Sequence, residues 1–353
     1  MAVSVSKTLL FPTLTNIKFS DLRSEFKETS SGIIRASELR RNTNTSTSNP
    51  TVPDATENAA ISTANNLRVS QFRNTIKYYD LNQSGTDLNL NIFAQTWNAN
   101  LSKNIVKRMN INGTCGSNTT GTVALYLNAL VYNLKVIVNG SVLGAGGPGS
   151  SSSTGGNGGG AMSLISLGGL ITLLTTTGSQ VYGGGGGGSK GATGGFGANG
   201  TCSYIDNYNT GAQCGSCPDC GPGYSQNCYS DGSCGGGKNP STSYKSYCSK
   251  TAYFQTGNPP GGAGGNGGNG QGYNQSRTDG SGGAGGSPSD CGGAASVDTQ
   301  YGGTGETGGN GGDWGSNGGG TSVYGGGASG AAVAGSNYSI DADSITTAFR
   351  GAR

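Results

Sequence analysis

Residues Gly261 to Gly270 read GGAGGNGGNG, two glycines and one small residue, three times over. The same beat returns at Gly155 (GGNGGG) and from Gly183 to Gly200 (GGGGGGSKGATGGFGANG). It recurs from Gly302 to Asp313 (GGTGETGGNGGD) and from Gly325 (GGGASGAAVAG). A flexible linker needs glycine but no period. A three-residue repeat points instead to a helix with three residues per turn, the polyproline-II-like geometry, which has no internal hydrogen bonds. Its amides must then pair with neighbouring segments or with water. Collagen is a poor match, because its triple helix needs long proline-rich repeats, whereas the longest strict run here is Gly183–Gly200 and holds no proline. That run would span about 55 Å at the polyproline-II rise. Glycine at two positions in three lets such helices approach with no Cβ between them, so the beat predicts several rods packed side by side.

Apolar residues make up only 32% of the 353-residue chain, too few for a large oily core. Stability has to come from backbone pairing, close contacts, cross-links or assembly. The net charge is +3, with 13 Lys/Arg against 8 Asp/Glu up to Asn110 and 8 against 10 beyond it. The arginines are dispersed, and no nucleic-acid footprint results. There is no histidine, which removes Ser-His-Asp and Cys-His catalysis and every zinc site that needs imidazole. The chain reads as no enzyme, with no catalytic residues, no resident metal and no cofactor. MAVSVSKTLLFPTLTN reads as no secretory signal. AMSLISLGGLITLLTTTG, from Ala161, is too interrupted and polar to insert in a membrane.

Nine cysteines are present, eight of them between Cys202 and Cys291. Cys202, Cys214, Cys217, Cys220, Cys228, Cys234, Cys248 and Cys291 are candidates for disulfides that staple a Gly/Pro/Ser/Tyr-rich insert lacking a core. Cys214, Cys217 and Cys220 also have Cys-x-x-Cys spacing, and with Cys228 or Cys234 they suit tetrahedral zinc; free thiols are a third reading. Cys115 stands alone as a free thiol. The insert, residues 201–254, also carries Tyr204, Tyr208, Tyr224, Tyr229, Tyr244, Tyr247 and Tyr253. Tyrosine amid Ser, Gly and Asn is the composition of antibody-like recognition loops, although the rings could equally cover glycine rods.

Toward the N-terminus, IKFSDLR (Ile17–Arg23), IRASELR (Ile34–Arg40) and LRVSQFR (Leu67–Arg73) share one pattern. Each reads as an extended segment, a serine N-cap and one or two helical turns, with Asp21 and Glu38 in the first turn. The repeats either pack on one another or dock to a larger scaffold. Ile17, Leu22, Arg23, Ile34, Leu39, Arg40, Leu67, Phe72 and Arg73 are the docking candidates. Thr122–Gly144 reads as two or three strands, with Asn139-Gly140 as a tight hairpin turn. Upstream, LNLNIFAQTWNANL reads as extended, with Phe93 and Trp97 as core anchors.

The run IKFSDLRSEF…IIRASELRRN…VPDATENAAISTANNLRVSQFRN resembles the N-terminal module of tailed-phage virion proteins, notably those of marine myophages. It departs from their usual pattern after Phe26 and at ELRRN. From Val136 to Arg353 the chain is similar in style to the glycine-rich receptor-binding adhesin at the tip of T-even phage long tail fibres. VIVNGSVLGAGGPG (Val136–Gly149) matches the usual entry, and GAAVAGSNYSIDADSITTAFRGAR loosely matches the closing strand. These resemblances imply polyglycine-II helices stacked side by side with variable loops.

The expected fold class is therefore mainly β and irregular. The divisions are a docking module of strands and short helices (1–80) and a β region ending in a hairpin (81–143). A polyglycine-II bundle with exposed loops follows (144–335), then a closing strand (336–353). The expected protein is a virion component on the outer surface of a phage. It would be a tail-fibre or tail-tip adhesin that docks to other tail or baseplate proteins and binds a host cell-surface protein or glycan. Self-association is compatible with this reading. The alternative is a baseplate, neck or capsid-decorating component with no receptor role.

Overall fold

A computed structural model describes residues 3–7, 17, 18, 20–22, 26, 33, 35–43, 52, 56–64, 66–93, 106–129, 134–166, 169–235 and 240–353. Among these the chain is mainly β, with twenty strands, short 3-10 turns and α-helical residues at Ser20, Asp21, Leu22 and Phe26. It divides into two compact units. The first comprises Met1–Gly191, Gly265–Ser281 and Thr307–Arg353; the second comprises Ala192–Gly264 and Gly282–Glu306.

The first unit is organised by a parallel β-solenoid of three faces. One turn runs β2 (Tyr78–Gln83), β3 (Thr86–Leu88) and β4 (Leu90–Phe93); the next runs β5 (Val106–Ile111), β6 (Thr114–Gly116) and β7 (Leu125–Ala129). The third runs β8 (Leu134–Val138), β9 (Ser141–Leu143) and β10 (Met162–Ser166). The fourth runs β11 (Ile171–Thr175), β12 (Gln180–Tyr182) and β18 (Val333–Ser336), and a last partial turn supplies β19 (Tyr338–Ile340) and β20 (Phe349–Arg350). The sheets are β1-β2-β5-β8-β11-β19, β3-β6-β9-β12-β20 and β4-β7-β10-β18. All these pairings are parallel except that β1 (Val3–Lys7) pairs antiparallel with β2. Alternation along each strand sends Leu81, Met109, Val136, Leu173 and their counterparts inward to one core that also takes in Cys115.

Several expectations are corrected here. The strands flanking Asn139-Gly140 do not form a hairpin: β8 pairs with β5 and β11, while β9 pairs with β6 and β12. The dipeptide turns a corner between two sheets. Gly85, Gly113 and Gly140 stack at that corner. A Cβ on Gly113 would overlap the Gly85 carbonyl, and one on Gly140 the Gly113 carbonyl. Those carbonyls instead accept from the Thr114 amide at 2.8 Å and the Ser141 amide at 2.9 Å. Phe93 is no core anchor: Leu90 and Ile92 take the inward positions of β4, and Phe93 points to solvent. Trp97 lies outside the described residues. The β region does not end at residue 143, since residues 162–182 supply β10–β12, and the tail adds three strands, not one.

The glycine-rich stretches of this unit are insertions at one corner of the solenoid. Residues 144–161 leave after β9 and return at β10; residues 183–332, part of which forms the second unit, leave after β12 and return at β18. The parallel alignment of the strands carries on into them, but with a stride of three. The amides of Gly144, Gly147 and Ser150 donate to the carbonyls of Tyr182, Gly185 and Gly188. On the way back Gly155, Gly158 and Ala161 donate to Gly325, Ala328 and Ala331.

Residues 183–189 have six neighbouring segments. Gly183 donates to Arg350 and accepts from Gly315; from Gly184 on, the amides donate to residues 156–159, 268–271 and 316–319 in turn, and the carbonyls accept from 147–150, 309–312 and 327–330. All seven residues are buried. That accounts for the uninterrupted run Gly183–Gly188: a segment enclosed on every side has no direction in which a side chain could point. Peripheral segments keep the two-plus-one beat, and their third residues, such as Asn310 and Asp313, are exposed. Asparagine recurs there because its amide oxygen reaches the next segment. Asn157, Asn269 and Asn317 accept from the amides of Ala328, Gly149 and Ser329, each at 2.9 Å.

The three N-terminal repeats form a second small core of Leu22, Phe26, Leu39, Val52, Ile61 and Phe72, with Phe26 and Phe72 edge-to-face at 5.6 Å. The serines are not the caps. Arg35 and Arg68 are the N-cap residues, and their amides donate to the side chains of Glu38 (2.9 Å) and Gln71 (2.7 Å), as the Lys18 amide does to Asp21 (2.8 Å). The acid or amide three residues on thus reaches back to the backbone N–H of the N-cap residue, as the N3 side chain does in a capping box. Leu22, Leu39 and Phe72 are enclosed in this core and present no surface for docking. Ile17 and Leu67 pack against it, Arg40 is half-buried and Arg73 is exposed. Arg23 and Ile34 lie outside the described residues.

Lys107 occupies an inward position of β5 beside Met109 and Ile111, and burial lowers its pKa to about 8. The folded state therefore holds fewer protons than the unfolded one between that value and 10.5. This costs about 3 kcal/mol at neutral pH and is relieved as pH rises. Stability is expected to increase by about 1 kcal/mol from pH 8 to 9, and Lys107→Met should abolish the increase in denaturant titrations. Above pH 9 the Cys115 thiol opposes it, because burial and then the Asp87 charge raise its pKa to about 12.

Candidate functional site: a cystine-braced tyrosine sheet

In the second unit, glycine segments keep the three-residue stride: Gly194 and Gly197 donate to Gly262 and Pro259, and Ala284 and Ser287 to Ala263 and Pro260. Between them lies an antiparallel sheet of β13 (Thr201–Asn209), β14 (Gln213–Cys214), β15 (Ser225–Cys234), β16 (Ser241–Gln255) and β17 (Ala295–Asp298). β16 is central, pairing with β13, β14 and β15.

Neither apolar cluster of the described residues reaches this sheet. Disulfides hold it instead, and all eight predicted cysteines form them: Cys202–Cys291, Cys214–Cys234, Cys217–Cys228 and Cys220–Cys248. The three cysteines with zinc-like spacing go to three different partners, which displaces the thiolate-ligand reading. No cluster of metal-ligating residues occurs among the described residues. Cys115 is the free cysteine, buried in the solenoid.

The two faces of the sheet differ. Residues 214–224 fold over one face. There Cys220 is bonded to Cys248 and Cys217 to Cys228, and the Pro218 carbonyl accepts from Gln226 (2.9 Å) and Ser246 (2.7 Å). Tyr208 donates to the Cys220 carbonyl at 2.7 Å and meets the Tyr224 ring edge-on at 5.3 Å. Tyr224 donates to Asp206, and Lys250 sits 4.2 Å from the Tyr224 ring and 3.8 Å from Asp206. The Tyr224 hydroxyl and then the charges of Tyr224 and Asp206 raise the Lys250 pKa. Tyr244 lies half-buried on the same face, and Tyr204 stacks obliquely on Phe254 at 6.1 Å.

The opposite face is open. It presents Tyr229, Tyr247, Tyr253 and Ile205, with Asn207, Asn209 and Asn227 between them, all exposed. Tyr229 donates weakly to Asn209 at 3.4 Å, and Lys245 is paired with Asp231 at 2.8 Å, which raises its pKa. The seven predicted tyrosines are thus divided, four to the face that residues 214–224 cover in part, where Tyr204 and Tyr208 stay exposed, and three to the open one. Ile205 and the asparagines escaped the sequence reading. The period-two alternation of TCSYIDNYN would have placed them with Tyr247 and Tyr253, but the insert read as irregular. No known protein family, curated protein or solved structure matches the chain.

Proposed function

We propose that this chain is a phage virion protein of the tail-fibre or tail-tip adhesin kind. In this reading its glycine segments form a polyglycine-II bundle and its tyrosine sheet binds a host surface. The observation that carries the binding role is a sheet with no apolar core, braced by four disulfides, that leaves a whole face of tyrosine and asparagine open to solvent. A sheet serving only as a spacer has no need of that many cross-links around exposed rings. Six neighbours around residues 183–189, bonded at every third residue, support the bundle, because a three-residue helix directs its amides and carbonyls that way. The resemblance of the N-terminal repeats to virion modules supports particle docking.

Thr201 and Gln255 are paired across β13 and β16, so a short Gly/Ser turn can replace residues 202–254, with Cys291→Ser removing the orphaned thiol. A phage carrying this replacement is expected to assemble but lose adsorption. Normal adsorption would overturn the adhesin reading and favour the baseplate, neck or decorating role. Removal of residues 1–75 keeps β2–β20, taking only β1 from the edge of its sheet, and should abolish incorporation into the particle while cell binding persists.

A further inference from the structure

The open face also indicates the class of ligand. Resting on the adhesin reading above, we infer that it binds a neutral glycan, through two aromatic or aliphatic platforms separated by an amide- and hydroxyl-lined centre. Tyr229 lies diagonal to Tyr247 across β15 and β16, and Ile205 lies diagonal to Tyr253 across β13 and β16. Tyr247 and Tyr253 are six residues apart on one strand, about 20 Å at the antiparallel rise, the reach of a short oligosaccharide. The row between them is Asn207, Ser249 and Ser225.

Two features favour sugar over protein. Protein interfaces concentrate their apolar anchors at the centre of the patch, within a polar rim; here the polarity is reversed. Around the Asn207–Ser249–Ser225 row the face is uncharged: Lys245 is neutralised by Asp231, Asp298 sits at the edge opposite Thr201 and accepts from the Gln300 amide, and the ion pair of Lys250 with Asp206 lies on the covered side. A neutral ligand with apolar C–H faces and many hydroxyls complements such a surface. The rings stack on the C–H faces, and the amides, which are both donor and acceptor, meet the hydroxyls.

The test uses the full-length oxidised chain, fluorescently tagged, on host bacteria left untreated, oxidised with periodate to cleave sugar diols, or stripped with protease. Binding should fall at least tenfold after periodate and survive protease. Tyr247→Ala/Tyr253→Ala, checked by non-reducing mass for its four disulfides, should bind at least tenfold more weakly. Tyr247→Phe/Tyr253→Phe, which keeps the stacking rings, should stay within about threefold. Binding that is lost to protease but resists periodate would overturn the glycan inference and leave the adhesin reading intact, with a protein receptor. Wild-type chain that binds no untreated cells would overturn the adhesin reading itself.

Discussion

Gly187→Val is expected to destroy the packing of the glycine segments, and Gly187→Ala to lower stability by about 3–5 kcal/mol. A Cβ at this position would overlap the Pro148 carbonyl, with the Gly149 amide nitrogen 2.9 Å away. The clash is with backbone, so no side chain can turn aside. Overpacking a tight interior costs about 1–3 kcal/mol. Shifting the segment also strains the bonds from Gly187 to Gly156 and from Gly327 to Gly187, at about 1 kcal/mol each. Gly268→Val is a second instance, since its Cβ would run into the Thr278 carbonyl. Ala328→Ser is the control: position 328 is an exposed third residue of the beat and should change stability by less than about 0.5 kcal/mol. Thermal melting and limited proteolysis read all four. Valine variants that melt and resist protease like the wild type would show that these segments are loosely packed.

The contrast between Gly187 and Ala328 also shows which parts of the fold were legible in the sequence. The three-residue beat states its own packing rule, and GGGGGG at Gly183–Gly188 marks the enclosed segment because every phase of the repeat meets backbone. The solenoid was harder to read. Gly85-Thr86, Gly113-Thr114 and Gly140-Ser141 occupy equivalent corners and Ser179-Gln180 takes that place in the fourth turn, so the glycine is lost there and the spacing is 28, then 27, then 39 residues. Insertions within the turns obscure the period. A tight hairpin calls for glycine by its backbone conformation and this corner calls for it because a Cβ on Gly140 would meet the Gly113 carbonyl, so Asn139-Gly140 alone cannot distinguish them; only the repetition does. At the candidate site, composition pointed to the cysteines and tyrosines. It could not assign Tyr224 to the covered face and Tyr247 to the open one. That division depends on strand register and on which loop closes over the sheet, neither of which is a property of single residues.

Reduction should unfold the tyrosine sheet while the solenoid survives. In the second unit the buried residues of the sheet and its flanks are cysteines, serines and threonines such as Cys202, Cys248, Ser246 and Thr256, so little hydrophobic free energy opposes the entropy of the chain. The disulfides close sequence separations of 11, 20, 28 and 89 residues, and a loop-entropy estimate gives about 3–5 kcal/mol for each taken alone. The solenoid has its own apolar core and its only cysteine is the buried Cys115. Under a phosphine reductant, protease should therefore cut first within residues 201–255, leaving the β2–β12 region protected. Cys220→Ser/Cys248→Ser should reproduce most of this effect without reductant, because that bond ties the covering segment to the central strand. Before reduction, the intact mass should be about 2 Da lower per disulfide than after it. An alkylating reagent should label no thiol in the native protein and one, Cys115, once it is denatured. If the sheet keeps its protease resistance when fully reduced, the cross-links are not what holds it, and the tyrosine face must owe its shape to contacts within the glycine segments.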